Sequence, residues 1–128
     1  MTLKTLNRLE KIARKNIDPQ KQGRCRHIAF AILRNRIVEF ETNSVKKTCT
    51  YHSLNGFKYP FCHAETSVIK KCIDSGYNLK KMRLVVLRIG GEHDGLMNSK
   101  PCSKCQKVIK MAGFKEVIYS TYNDYKKL

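Results

Sequence analysis

Two short segments contain the side chains that could carry out chemistry: His63-Ala64-Glu65 and Pro101-Cys102-Ser103-Lys104-Cys105. Zinc in proteins prefers histidine nitrogen and cysteine thiolate ligands, and a catalytic zinc site uses three of them and leaves the fourth position to water. Cys102 and Cys105 are three residues apart, so in the first turn of a helix both sulfur atoms lie on one side. His63, Cys102 and Cys105 therefore predict a site for one zinc ion.

Glu65 lies two residues after His63, where its carboxylate can reach water on the metal without binding the metal itself. Zinc lowers the pKa of bound water from about 15.7 to about 7, so a nucleophile is available at neutral pH. A carboxylate beside that water can take up the proton and deliver it to the substrate and to a departing group. Glu65 is therefore the predicted catalytic residue.

A closed structural zinc site with Cys62 as its fourth ligand is the alternative for the same residues. Cys62 and His63 are adjacent in sequence, and neighbouring side chains are poorly placed to bind one ion. This alternative also leaves Glu65 without a role. The open, catalytic arrangement is therefore favoured.

The motifs H-x-E and P-C-x-x-C, in this order, resemble the zinc-dependent deaminases of the cytidine/deoxycytidylate deaminase superfamily, over about Arg26 to Ser120. The resemblance implies hydrolytic conversion of a cytosine nucleoside or nucleotide to the uracil form, with release of ammonia. It further implies that Asn43 contacts the substrate sugar and that the backbone amide of Ala64 holds the pyrimidine carbonyl. It also implies a homo-oligomer. Asparagine after a strand is, however, also a common turn former.

The elements that must position these motifs follow from the hydrophobic periodicity. The predicted elements are a basic amphipathic helix over residues 3–17, a hairpin over 26–41 with its turn at Arg34-Asn35, a helix over 64–75, a buried strand over 82–89, a helix over 103–112, a strand over 116–120 and a returning strand within 122–128. Residues 20–24, 43–59 and 90–100 are predicted to be loops. Strands alternating with helices predict a single α/β domain over residues 1–128, with a central mixed sheet between helix layers. The resemblance implies the same three-layer α/β/α sandwich, with a mixed five-stranded sheet.

Length and composition exclude other classes of protein. The chain has 128 residues, enough for one domain, and its longest apolar run, Ile28 to Leu33, is far below the roughly 20 residues that span a bilayer. Met1 to Leu9 lacks the apolar segment of a secretory signal. A cytoplasmic, reducing location is therefore expected, and in it cysteines serve as metal ligands or pack in the core rather than forming disulfides. The cysteines with predicted structural roles are Cys25, Cys49, Cys62 and Cys72.

The net charge of the chain does not decide between the possible classes of substrate. Lysine and arginine total 26 against 10 acidic residues, a net charge of +16, which attracts polyanions and anionic substrates. Three hypotheses remain: a deaminase of free cytosine nucleosides or nucleotides, a deaminase of a base within single-stranded DNA or RNA, and a non-catalytic, zinc-stabilised nucleic-acid-binding module. The short chain after Ser120 resembles that of the small nucleoside deaminases, whereas a histidine at position 63 is typical of the deoxycytidylate and tRNA types.

The segment before His63 offers further candidates for substrate contacts. Phe57, Tyr59 or Phe61 could stack on a base, and packing in the core is the alternative. Lys46, Lys47 and Lys58 could meet phosphate, and a solvated loop is the alternative. The remaining histidines, His27, His52 and His93, lack partners at a fixed spacing.

Overall fold

The computed structural model describes residues 1–23, 26–45, 50–56, 62–90 and 95–128. The helices are α1 (Leu3–Lys15), α2 (Pro19–Gln22), α3 (Thr50–Leu54), α4 (Ala64–Asp74) and α5 (Ser103–Ala112), with a 3₁₀ turn at Leu79–Lys81. The strands are β1 (Arg26–Leu33), β2 (Arg36–Thr42), β3 (Arg83–Ile89), β4 (Leu96–Met97), β5 (Glu116–Thr121) and β6 (Asp124–Lys127).

The strands form one mixed sheet in the order β2-β1-β3-β5-β6, with the short β4 paired to the end of β3. Among the strands of the described residues, only β3 and β5 pair in parallel. The helix α5 lies between them in the chain, as expected for a crossover connection. The remaining pairs are antiparallel. The predicted mixed sheet of five main strands is confirmed, and so is the returning last strand.

Helices cover both faces of the sheet, which confirms the predicted three-layer α/β/α architecture. Alternate residues of β1 and β3 point to opposite faces, so each face has its own core. One core lies under α4 and α5 and includes Ala29, Ala31, Leu84, Val86, Val68 and Ile109. The other lies under α1 and includes Leu6, Leu9, Phe30, Val85 and Leu87. The predicted amphipathic helix therefore packs on the sheet.

The turns follow from local sequence. Arg34 and Asn35 both have positive φ, 51° and 64°, and this conformation gives a two-residue loop the twist that suits a hairpin. Asn123 adopts φ 61° between β5 and β6. Gly113 ends α5 in the left-handed region, and its N–H donates to the carbonyl of Ile109.

Three short elements differ from the prediction. The helix α2, the helix α3 and the strand β4 lie in segments that the sequence predicted to be loops. Each has five residues or fewer, too few for hydrophobic periodicity to show. In addition, α1 ends at Lys15, before the predicted boundary, where the side-chain amide of Asn16 donates to the carbonyl of Ile12 at 2.8 Å.

None of the helices in the described ranges is long and apolar enough to cross a membrane. Within those ranges Cys62, Cys72, Cys102 and Cys105 form no disulfide bond. Cys72 is fully buried in the core under α4 and α5, which matches its predicted structural role. Cys25 and Cys49 lie outside the described residues.

Candidate active site and metal centre

His63 is placed by the start of α4 and by a bridge just before it. It is the N-cap of the helix, with extended backbone, and its carbonyl accepts a hydrogen bond from the N–H of Ser67 at 3.0 Å. The preceding residue, Cys62, exchanges two backbone hydrogen bonds with Ser44, at 2.7 and 2.8 Å. The bridge therefore fixes the point at which the chain enters α4.

The two cysteines are placed by the start of α5. Cys102 is the N-cap, and its sulfur accepts a hydrogen bond from the N–H of Cys105 at 3.5 Å. The side-chain amide of Gln106 donates to the carbonyl of Pro101 at 2.8 Å. Cys105 is fully buried and Cys102 is exposed. The P-C-x-x-C motif is therefore a helix start with both thiols on the side facing His63.

Ser99 and Ser120 hold the segment that precedes Pro101 against the sheet; we call these two residues the serine pair. The Ser99 N–H donates to the Ser120 carbonyl, and the Ser120 N–H donates to Ser99 Oγ, both at 2.8 Å. The Ser99 hydroxyl donates to the carbonyl of Val86 at 2.8 Å, and the Ser120 hydroxyl to that of Met97 at 2.7 Å. Both serines are buried, so these bonds connect the metal-binding segment directly to β3 and β5.

The three predicted ligands lie together. His63 Nδ1 is 3.4 Å from Cys105 Sγ and 3.8 Å from Cys102 Sγ, and the three donor atoms lie within 4.8 Å of one another. Ordinary zinc–nitrogen and zinc–sulfur bond lengths in a tetrahedral site place nitrogen and sulfur ligands about 3.6 Å apart. The geometry and the chemistry of the donor set therefore fit a single zinc ion.

A cavity of about 530 Å³ opens beside the three ligands. Its lining residues are His27, Asn43, Ser44, Val45, Cys62, His63, Ala64, Glu65, Arg88, Asn98, Lys100 and Cys102. The volume is in the range of small-molecule sites. The predicted metal, catalytic and substrate-binding residues His63, Cys102, Cys105, Glu65, Asn43 and Ala64 therefore meet at one place: five of these six line the cavity, and Cys105 is buried behind it.

Glu65 lies in the first turn of α4, on the cavity wall, with only 4% of its surface exposed. Burial raises the pKa of its carboxyl above the ordinary value, while its own backbone N–H and the Cys105 thiol oppose the rise. Ala64 is the first residue of the same helix, and the N–H groups of a first turn have no carbonyl acceptor within the helix. This part of the cavity wall therefore combines the Glu65 carboxyl, which can accept a proton, with backbone N–H groups, which can donate hydrogen bonds.

Asn43 lines the cavity, but its side chain also has structural bonds. Its Oδ1 accepts from the N–H of His27 at 3.0 Å and from Gln22 Nε2 at 3.2 Å. Its Nδ2 donates to the carbonyl of Gln22 at 2.9 Å. Asn43 therefore connects α2 and the start of β1 to the cavity wall.

Comparison with known families decides the assignment. The family model for the cytidine and deoxycytidylate deaminase zinc-binding region matches residues 4–121 of the chain. The chain belongs to this family. The match confirms the resemblance carried by H-x-E and P-C-x-x-C, and the cluster of His63, Cys102 and Cys105 is positioned to hold the one zinc ion of such a region.

Solved structures show the same fold. A cytidine deaminase from Burkholderia pseudomallei is similar with a TM-score of 0.64 and 20% identity, over 100% of this chain and 92% of the other. A dCMP deaminase from the cyanophage S-TIM5, in complex with dCMP and dUMP, is similar with a TM-score of 0.66 and 20% identity, over 93% of this chain and 82% of the other. No curated protein matches the chain.

Several wall residues of this deaminase were not predicted. Arg88, the last residue but one of β3, lies on the face of α4, because it alternates with the core residues Leu84 and Val86. His27 lies opposite it on β1. Lys100 and Asn98 come from the segment that the serine pair holds. Sequence patterns missed them because a single charged or polar residue at a strand end has no spacing partner. Their positions in the chain could have indicated them, since each of these wall residues lies next to a predicted motif or to the end of a predicted strand.

The remaining candidates lie outside the described residues. They are the predicted stacking residues Phe57, Tyr59 and Phe61, the predicted phosphate contacts Lys46, Lys47 and Lys58, and His93.

Proposed function

We propose that this zinc deaminase converts a cytosine nucleoside or nucleotide to the uracil form, with release of ammonia. The observation that carries the proposal is the position of Glu65. Its buried carboxyl shares one cavity with His63 and Cys102, two of the three metal ligands. A purely structural zinc site has no need of a buried carboxyl group beside it, because an unpaired buried charge is costly.

The residues have distinct roles in this reaction. His63 Nδ1 and the Cys102 and Cys105 thiolates would hold the zinc, which when bound supplies a Lewis acid and a water nucleophile at neutral pH. The Glu65 carboxylate takes one proton from the attacking water and delivers it to the ring nitrogen. It then takes the second proton of that water, from the new hydroxyl group on the ring, and delivers it to the amine, which departs as ammonia while the ring carbonyl forms. The backbone N–H of Ala64 holds the pyrimidine carbonyl, and Asn43 contacts the sugar.

The cavity wall favours a phosphorylated substrate. Arg88 and Lys100 both line the cavity, and guanidinium and ammonium groups bind phosphate strongly. The similar cyanophage enzyme was solved with dCMP and dUMP. We therefore propose a free cytosine nucleotide as the preferred substrate over the nucleoside.

The test is ammonia release by the zinc-loaded protein from cytidine, 2′-deoxycytidine, CMP, dCMP, dCTP and a cytosine-containing single-stranded oligonucleotide. We expect turnover of dCMP or CMP, with a higher kcat/KM than for the matching nucleoside. Glu65→Gln should lower kcat by about 10²- to 10⁴-fold, the usual contribution of general acid–base catalysis, and keep its zinc. Glu39→Gln, on β2 and outside the cavity, is the matched control and should keep both.

Three results would contradict the proposal. Full activity of Glu65→Gln would remove Glu65 from the mechanism, and absence of turnover with every compound would favour the non-catalytic module. Turnover of the oligonucleotide alone would favour the base deaminase acting on nucleic acid. Nucleic acid as a partner and the homo-oligomer remain predictions.

A further inference from the structure

The side-chain amide of Asn43 can take only one orientation. One of its neighbours, the backbone N–H of His27, can only donate, and another, the backbone carbonyl of Gln22, can only accept. The oxygen must therefore face His27, and the nitrogen must face the Gln22 carbonyl. Such partners assign an amide without ambiguity.

The side chain of Gln22 is fixed in the same way. Its Oε1 accepts from the backbone N–H of Asp18 at 2.7 Å, and its Nε2 donates to the backbone carbonyl of His27 at 3.0 Å. The same Nε2 donates to Asn43 Oδ1 at 3.2 Å. Gln22 is 2% exposed, which is unusual for a glutamine and is explained by these bonds.

These bonds leave Asn43 with one remaining hydrogen-bonding group. Its oxygen already accepts from His27 and Gln22, and one N–H of Nδ2 is used by the Gln22 carbonyl. The second N–H of Nδ2 has no acceptor within the described ranges of the chain, and Asn43 lines the cavity. Asn43 can therefore donate to a ligand in the cavity but cannot accept from it.

We propose that Gln22 is a positioning residue for substrate binding: it fixes the Asn43 amide with an N–H available to the cavity, so that the site selects a substrate oxygen that accepts a hydrogen bond. The inference rests on the proposed function, since the oxygen is that of a cytosine nucleoside or nucleotide. Gln22 itself acts through Asn43 and the start of β1.

Kinetics of matched variants test the inference. Gln22→Met keeps an unbranched chain of similar length without hydrogen bonds, and Gln22→Glu keeps the acceptor for Asp18 but removes the donor to Asn43. Gln20→Met, an exposed position on the same helix, is the control. With dCMP, or with 2′-deoxycytidine if only nucleosides are turned over, both Gln22 variants should raise KM about five- to ten-fold, as for loss of one ordered hydrogen bond. The kcat should stay within about two-fold.

A double-mutant cycle separates positioning from general stability. In an Asn43→Ala background, Gln22→Met should raise KM by less than about two-fold further, because the group that it positions is gone. An equal rise in both backgrounds, or a loss of kcat with KM unchanged, would overturn the inference.

A measurement without substrate keeps the two proposals distinguishable. In ¹⁵N spectra of the zinc-loaded protein, the Asn43 side-chain amide resonances should shift in Gln22→Met and Gln22→Glu and stay in place in Gln20→Met. Unchanged resonances in a folded Gln22 variant would overturn the inference. Absence of deamination by the parent protein would count against the proposed function alone.

Discussion

The two ends of the cavity are built differently. At the metal end, His63, Cys102 and Cys105 each lie at the start of α4 or α5, so a local motif supplies both the ligand and the helix that aims it. At the Asn43 end, the orientation of one amide depends on Gln22, which lies 21 residues earlier in the chain, and on the backbone of His27. The predicted metal ligands are therefore placed by local motifs, whereas the proposed substrate contact, Asn43, is oriented by long-range contacts.

The comparison explains what the sequence could predict. The predicted metal ligands lie within two short motifs, and the residue spacing within each motif determines how its side chains are placed at a helix start. The partners of Asn43 are mainly backbone groups of residues distant in the chain. Because nearly every residue type has the same backbone groups, the sequence does not indicate which of them bond to Asn43. For this reason the sequence placed Asn43 at a strand end but could not indicate Gln22.

The largest expected effect comes from removing a ligand at the metal end. Cys105→Ala should lower zinc affinity by at least about 100-fold, more than the loss of a supporting residue around a metal, and should abolish deamination. Cys72→Ala, an equally buried thiol in the core, should lose stability and keep its zinc. The measurement is metal content together with competition against a chelator.

The same variant checks the independence of the two ends. If they are separate, Cys105→Ala leaves the Asn43 amide resonances where they are in the metal-free parent. A shift of the Asn43 side-chain amide resonances in Cys105→Ala would show that the two ends of the cavity are coupled, contrary to the comparison above.

Zinc binding should depend steeply on pH. Burial, with the nearby charge of Glu65, raises the pKa of the Cys105 thiol in the metal-free protein well above its ordinary range. Zinc binds the thiolate and must displace that proton, so affinity falls as pH falls. We expect about a ten-fold change in Kd per pH unit for each proton released, measured between about pH 6 and 8.

The Asn43 end should not share this dependence. Its bonds join side-chain amides and backbone groups, which do not titrate in this range. The Asn43 amide resonances should therefore stay constant with pH while zinc affinity changes. A zinc affinity that does not change with pH, or Asn43 amide resonances that do, would contradict this difference between the two ends of the cavity.

The serine pair should give a smaller effect at the metal end. Ser120→Ala removes a buried hydroxyl that donates to the carbonyl of Met97 and accepts from the N–H of Arg88. The substitution should lower the free energy of unfolding by about 1–3 kcal/mol. Because the pair holds the segment before Cys102, zinc affinity should also fall, by about ten-fold. Ser103→Ala, exposed at the start of α5, is the control. Unchanged zinc affinity in Ser120→Ala would limit the pair to stability.

The smallest effect is expected from Thr66. Its hydroxyl lies 3.8 Å from Cys105 Sγ and is fully buried, within reach of a weak hydrogen bond to the thiolate. Thr66→Val keeps the shape and removes the donor, and should weaken zinc binding by about two- to five-fold, the lower part of the range for one hydrogen bond. The visible spectrum of the cobalt-substituted protein should also shift. An identical spectrum would remove Thr66 from the metal environment.

Much of the fold was accessible from sequence for physical reasons. The strand β3 is a continuous apolar run because it is buried on both faces, and α4 and α5 have helix stops at Gly76 and Gly113. The elements that escaped prediction, α2, α3 and β4, are stabilised by tertiary contacts. For α2 the contact is visible, since Gln22 at its end is held by His27 and Asn43.

The bridge between Ser44 and Cys62 has a consequence for how such proteins can diversify. The chain leaves the site after Ser44 and returns at Cys62, and two hydrogen bonds join these points. Lengthening a loop whose ends are joined costs little free energy, because closure entropy grows slowly with length. The length of the chain between Ser44 and Cys62 can therefore change at little cost, while His63 and Glu65 keep their positions at the start of α4. Proteins of this fold can in this way differ between these two points and keep the same reacting groups.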